Sequence, residues 1–170
     1  MPLKQDPLPQ QAADLAVLYA LNLVRGGDVV TWADCLVASL DSPGSDLIDL
    51  SLAGNDLGGI HRLLDELAQG ADRDLAFRRA LIEVHDRLRD GAVELGWVLH
   101  ILYDNCVLPD HVVPDNPLRH FVSLVPDNVR HFASWAVDEY DLIQDGIKDG
   151  NIEQLHSDTL TLLNELGRRA

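Results

Sequence analysis

The feature that most constrains this chain is the spacing of its apolar residues. Downstream of Asp72, Phe77, Leu81, Val84 and Leu88 recur every three or four positions, while Arg73, Arg78, Arg79, Arg87 and Arg89 fall between them. That period gathers the apolar side chains into one stripe of an α-helix and the charged ones onto the other side. Arg79, Glu83 and Arg87 add opposite-charge pairs one turn apart, which support the helix further. Strand signals are weak, and no Asn-Gly or Asp-Gly pair lies between alternating runs where a hairpin would need it. The pattern predicts an all-α protein.

The same reading extends along the chain. A first helix is expected from about Pro9 to Arg25, with proline tolerated in the first turn. A second opens at Thr31-Trp32-Ala33-Asp34 and runs to about Leu40. Ser42-Pro43-Gly44 breaks the chain, and Ser45 caps a short helix through Ser51. Asn55 or Asp56 caps another that ends before Gly70, and Asp72 starts the amphipathic one. Val93 to Cys106 is apolar nearly all round through Leu95, Trp97, Val98, Leu99, Ile101 and Leu102, which predicts a central, buried helix. Leu108 to Pro117, with three prolines, reads as the longest loop. A short helix is expected at Leu118 to Leu124. A long one follows from Pro126-Asp127, with Val129, Phe132, Ala136, Tyr140 and Ile143 inward. The last turns Ile152, Leu155, Thr159, Leu162 and Leu166 inward. Gly26-Gly27, Gly54, Gly70, Gly91, Gly146 and Gly150 each follow a helix-like run and read as left-handed helix stops. The expectation is about seven or eight helices in a single compact array, one domain spanning residues 1–170.

Composition narrows the function classes. A chain of 170 residues that is 46% hydrophobic can bury a sizeable core. Its 28 acidic residues against 13 basic ones leave a formal charge of -15. That balance argues against nucleic acid, whose phosphates need clustered Lys and Arg, and against anionic membrane surfaces. It fits a basic protein partner or plain solubility. The opening MPLKQDPLPQ lacks the apolar core of a secretory signal. The longest apolar stretch, Val93 to Tyr103, is too short to span a bilayer. Cys35 and Cys106 stand apart among apolar neighbours and are expected to be buried free thiols, which places the chain in a reducing cytoplasm.

The chemistry-bearing combinations are incomplete. Glu153 and His156 form a Glu-x-x-His unit, but a di-metal helical bundle uses two such units and further inward glutamates. Asp145 to Ile152 has calcium-loop spacing at Gly150 and Ile152. Its third position is Ile147, though, and its twelfth is His156, where calcium needs oxygen ligands. His100 and Asp104 stand one turn apart, with Tyr103 beside them, and could form a general base. No phosphate loop, dinucleotide fingerprint, zinc-protease motif or nucleophile elbow is present. No metal and no cofactor is expected.

The remaining feature is an acidic helix face, which reads either as a binding face or as an ordinary solvated one. On a wheel of about 100° per residue, Asp127, Asp138, Asp141 and Asp145 fall within about 60° of one another, opposite the apolar side of their helix. His131 and Trp135 flank them. From Asp138 to Asp158 there are seven acidic residues and one basic residue, Lys148, a local net charge of -6. Like charges one turn apart disfavour a helix slightly, so the stripe has a cost. Trp135 beside Asp138, Asp141 and Asp145, continued by Asp149 and Glu153, has the composition of an interface anchor with a polar rim.

The run from Trp32-Ala33-Asp34 through Asp46-Leu47-Ile48-Asp49-Leu50-Ser51-Leu52, followed by the Leu63-Leu64 helix, resembles small all-helical bacterial proteins, among them immunity proteins that neutralise polymorphic toxins. The resemblance covers about a fifth of the chain, within its N-terminal third and slightly beyond, and rests on capping and core residue types. It implies an acidic, cytoplasmic, non-catalytic inhibitor. Two other readings stand beside it: a helical enzyme centred on His100 and Asp104, and a self-associating structural domain that forms a homo-oligomer.

Overall fold

Helical periodicity is the organising rule of the folded chain, described here from a computed structural model at residues 6–54, 56–106 and 127–168. Among the described residues there are eight helices and no strand: α1 (Leu8–Ala20), α2 (Gly26–Ser39), α3 (Ser45–Leu52), α4 (Leu57–Leu67), α5 (Arg73–Arg89), α6 (Leu95–Cys106), α7 (Asp127–Gln144) and α8 (Ile152–Gly167). The expected loop at Leu108–Pro117 and helix at Leu118–Leu124 lie outside the described residues. Packing divides the chain into two compact units, Met1–Ala76 and Phe77–Ala170, with the boundary inside α5.

Side chains cap the starts of α4, α5 and α8, whereas α1 and α3 start without a side-chain cap, and Ser45 is the first residue of α3 rather than its cap. The Asp56 carboxylate accepts from the Gly59 backbone N–H at 3.1 Å, that of Asp72 from Leu75 at 2.9 Å, and the Asn151 side chain from Gln154 at 3.1 Å. Each satisfies an N–H that has no partner within its helix. The start of α2 differs from the sequence expectation. Gly26-Gly27 do not stop α1; they form the first turn of α2, where the Asp28 carboxylate reaches back to the Arg25 N–H at 2.9 Å. Thr31, read as the cap, is inside the helix and donates its hydroxyl to the Gly27 carbonyl at 2.7 Å. The left-handed residue after α1 is Asn22, at φ 55°, one of the few side chains that tolerates that region. Gly26 lies close to α4 instead: a Cβ there would sit 3.0 Å from Ile60 Cδ1, which would have to give by a few tenths of an ångström.

In the first unit, α1 packs on α4, and α3 packs on α2 and α4. Leu47, Leu50, Ile60 and Leu64 are fully buried. The buried amide of Gln10 works as a two-point clamp. Its Oε1 accepts from the Asp72 N–H at 3.0 Å, and its Nε2 donates to the Asp72 carbonyl and to Asp14, both at 3.1 Å. The clamp fastens α1 to the start of α5 while leaving no amide atom of Gln10 unsatisfied, as a buried polar group requires. Tyr19 stacks on His61 with ring centroids 4.5 Å apart. Burial holds the His61 pKa below the ordinary histidine value, against the opposing influence of Asp65.

In the second unit, α6 packs on α7 and α7 on α8. Phe77, Leu81, Val84 and Leu88 of α5 are all buried, as their period requires. The expectation for α6 needs correction: Leu95, Val98, Leu99 and Leu102 are buried, but Trp97 and Ile101 are only half-buried. An apolar surface all round did not bring neighbours to every side; the contacting stripe has the usual i, i+3, i+4, i+7 spacing. Gly96 is buried beside that stripe, and a Cβ there would come within 2.6 Å of the Tyr140 ring on α7. In α8, Thr159 is fully buried and returns its hydroxyl to the Leu155 carbonyl at 2.8 Å. Cys35 is exposed, contrary to expectation, because α2 buries only Val29 and Ala33. The Cys106 side chain lies outside the described residues.

Candidate partner-binding face

Helix α7 presents two chemically distinct faces. Val129, Ala133, Ala136 and Val137 are buried, with Phe132, Tyr140 and Ile143 partly covered beside them. Ala133 and Val137 were not among the inward positions read from the sequence. The opposite side carries Asp127, Asp138, Asp141 and Asp145, all exposed. Trp135 is 50% exposed, its ring 5.9 Å from that of Phe132. The sequence reading missed Leu142, also exposed on this side. It lies two turns on from Trp135, about 20° away on the wheel, and that spacing could have revealed it.

The face continues past the end of α7. Gly146, at φ 69°, closes the helix, and the Ile147 and Lys148 N–H groups return to the Leu142 carbonyl at 3.0 and 3.2 Å. The segment resembling a calcium loop is therefore a helix-stopping turn. Ile147 is 71% exposed in that turn. Asp149 and Glu153 are exposed too, and Glu153 occupies the first turn of α8, where the helix dipole favours a carboxylate.

Lys148, the one basic residue between Asp138 and Asp158, is held away from the stripe. Lys148 Nζ binds Glu139 at 2.7 Å, and Glu139 is the most covered carboxylate of the segment's ion pairs, with 16% of its side chain exposed. Among the described residues no Lys or Arg pairs with Asp138, Asp141, Asp145, Asp149 or Glu153.

His100 belongs to this face rather than to a dyad with Asp104. Its Nδ1 is 2.8 Å from the Gly96 carbonyl, so Nδ1 carries the proton and donates. Its Nε2 lies 3.9 Å from Asp141 on α7, and both side chains are about half exposed. Among the described residues no group of three or more His, Cys, Asp or Glu could hold a metal ion. Glu153 is exposed and His156 half-buried on α8. Among the described residues no helix is long and apolar enough to cross a membrane.

No family model, no curated protein and no solved structure matches this chain.

Proposed function

We propose that this chain is a cytoplasmic binding protein that takes a basic protein partner on the exposed side of α7, in the manner of the toxin-neutralising immunity proteins that its N-terminal segment resembles. One observation carries the reading: Trp135 stands half exposed beside Asp138, Asp141 and Asp145, which among the described residues form no ion pair with Lys or Arg. Burying an aromatic anchor at the centre of a contact yields much of the binding free energy, and a surrounding charged rim steers encounter and selects the partner. Leu142 and Ile147 enlarge the apolar part of that contact. The overall charge of -15 acts in the same direction by repelling nucleic acid and anionic lipid.

The test is affinity capture from the source cell with the full chain as bait, beside a variant carrying Asp138→Asn, Asp141→Asn and Asp145→Asn. A basic protein retained by the first bait and lost from the second supports the proposal. Identical captures with both baits, or capture of acidic proteins alone, would remove this face from consideration.

A further inference from the structure

The side chains around Trp135 restrict what can cover it. Trp135, Asp138 and Leu142 fall within about 60° of one another on α7, and all three are exposed. Phe132, partly covered, meets the indole at a tilt of 59°, with ring centroids 5.9 Å apart. One turn beyond the indole stand two carboxylate residues, about 5–6 Å from it between Cβ atoms. Glu139 is taken: both its oxygens are bound by Lys148 Nζ, at 2.9 and 2.7 Å. Asp138 is exposed and, among the described residues, pairs with no Lys or Arg.

Any group that covers the indole also takes water from Asp138, one turn away. A carboxylate that loses water without gaining a donor is costly, so an aliphatic or aromatic side chain is a poor cover. A cation meets both needs, since the indole face attracts positive charge and the carboxylate accepts its hydrogen bonds. Of the two basic side chains, arginine fits better. Its guanidinium is planar and weakly hydrated, so it stacks on the ring while its N–H groups reach the carboxylate; an ammonium is a compact, strongly hydrated point charge. Arginines of α5 are engaged within their own chain, Arg87 with Glu83 and Arg89 with Asp86 and Asp90, so a second copy is the poorer source. Resting on the α7 reading, we infer that Trp135 and Asp138 together receive an arginine side chain of another protein, stacked on the indole and paired with the carboxylate.

An NMR titration of the full chain with short peptides tests this without a captured partner. The probes are Ala-Arg-Ala blocked at both ends, its lysine counterpart, and its citrulline counterpart, in which a neutral urea replaces the guanidinium. Of the chain's three indole N–H signals, the arginine peptide shifts that of Trp135, which is identified by its loss in Trp135→Leu. The lysine peptide binds at least about threefold more weakly, and the citrulline peptide leaves the signal in place. Asp138→Asn weakens the arginine peptide by about threefold. Asp141→Asn with Asp145→Asn weakens the arginine and lysine peptides alike and keeps the preference for arginine. Followed at the Asp138 backbone N–H, Trp135→Leu binds the two peptides equally. Equal affinity of the unaltered chain for both peptides, or a preference for arginine that survives Trp135→Leu, would overturn the inference. So would sedimentation showing a dimer that Trp135→Leu dissociates, since a second copy would then cover the indole. Failure here and failure of the α7 reading are separate results: a chain without arginine preference that still captures a basic protein through its carboxylates keeps the α7 reading, whereas an arginine preference beside identical captures with both baits counts against the α7 reading alone.

Discussion

The two sides of α7 obey different rules. The inner side is built for closeness: Ala133 and Ala136 are fully buried, and Tyr140 lies over a glycine of α6 that has no room for a Cβ. The outer side is built for neither closeness nor helix stability, since it stacks like charges one turn apart and exposes Trp135 and Leu142. Packing explains every residue on the first side and none of the carboxylates on the second. Positions that fold the chain and positions available for recognition are therefore separable on a single helix, and substitutions should divide the same way.

The largest effect is expected in the α6 stripe. Leu102 is buried, so Leu102→Ala removes contacts and opens a cavity, at a cost of about 2–5 kcal/mol in denaturant unfolding. A cost below about 0.5 kcal/mol is the range of surface sites and would contradict the burial of that stripe. Gly96→Ala comes next. The added methyl meets the Tyr140 ring and costs about 1–3 kcal/mol of overpacking, against about 1 kcal/mol regained from helix propensity. A net loss is expected; a stabilised variant would show that Tyr140 yields freely and that the close approach is not required.

A smaller effect is expected in the first unit, from His61. Its folded pKa lies below the unfolded value, so the unfolded chain takes up the proton first as pH falls. The contribution of neutral His61 is intact above about pH 6.5 and is lost as pH falls through the folded value. Urea midpoints of the wild type should therefore drop more between about pH 7.5 and about pH 5.5 than those of His61→Gln. Parallel drops would show that folding does not hold the His61 pKa below its unfolded value. The smallest stability effect belongs to the outer side of α7. Changing Asp138, Asp141 and Asp145 together to Asn should leave the urea midpoint nearly unmoved or slightly raised, because it relieves like-charge repulsion. A clear loss of stability would mean that these carboxylates hold the fold.

The helices were legible because one physical rule, a 3.6-residue period, governs both the sequence and the buried stripe. Phe77, Leu81, Val84 and Leu88 follow it without exception. Capping by Asp56 and Asp72 was legible for a similar reason, since a short acidic side chain before an apolar run has one common use. What depends on a partner far away in the chain was not legible. The Gln10 clamp joins positions 62 residues apart. Trp97 and Ile101 are half-buried because coverage depends on where neighbouring helices fall, not on the period of α6 itself. Gly26 looked like a stop because the close approach of Ile60 leaves no trace in local sequence. The acidic side of α7 was legible as composition, whereas the turning of Lys148 toward Glu139 and of His100 toward Asp141 required the fold.

The most direct measurement is the association rate of the captured basic partner with the full chain, taken at low and at high ionic strength. If the carboxylates of α7 steer the encounter, the rate falls as salt rises, because screening shortens the reach of their field. With Asp138, Asp141 and Asp145 changed to Asn, the rate is lower at low salt and nearly independent of it. An unchanged rate and unchanged salt dependence in that variant, with its fold intact, would contradict the account.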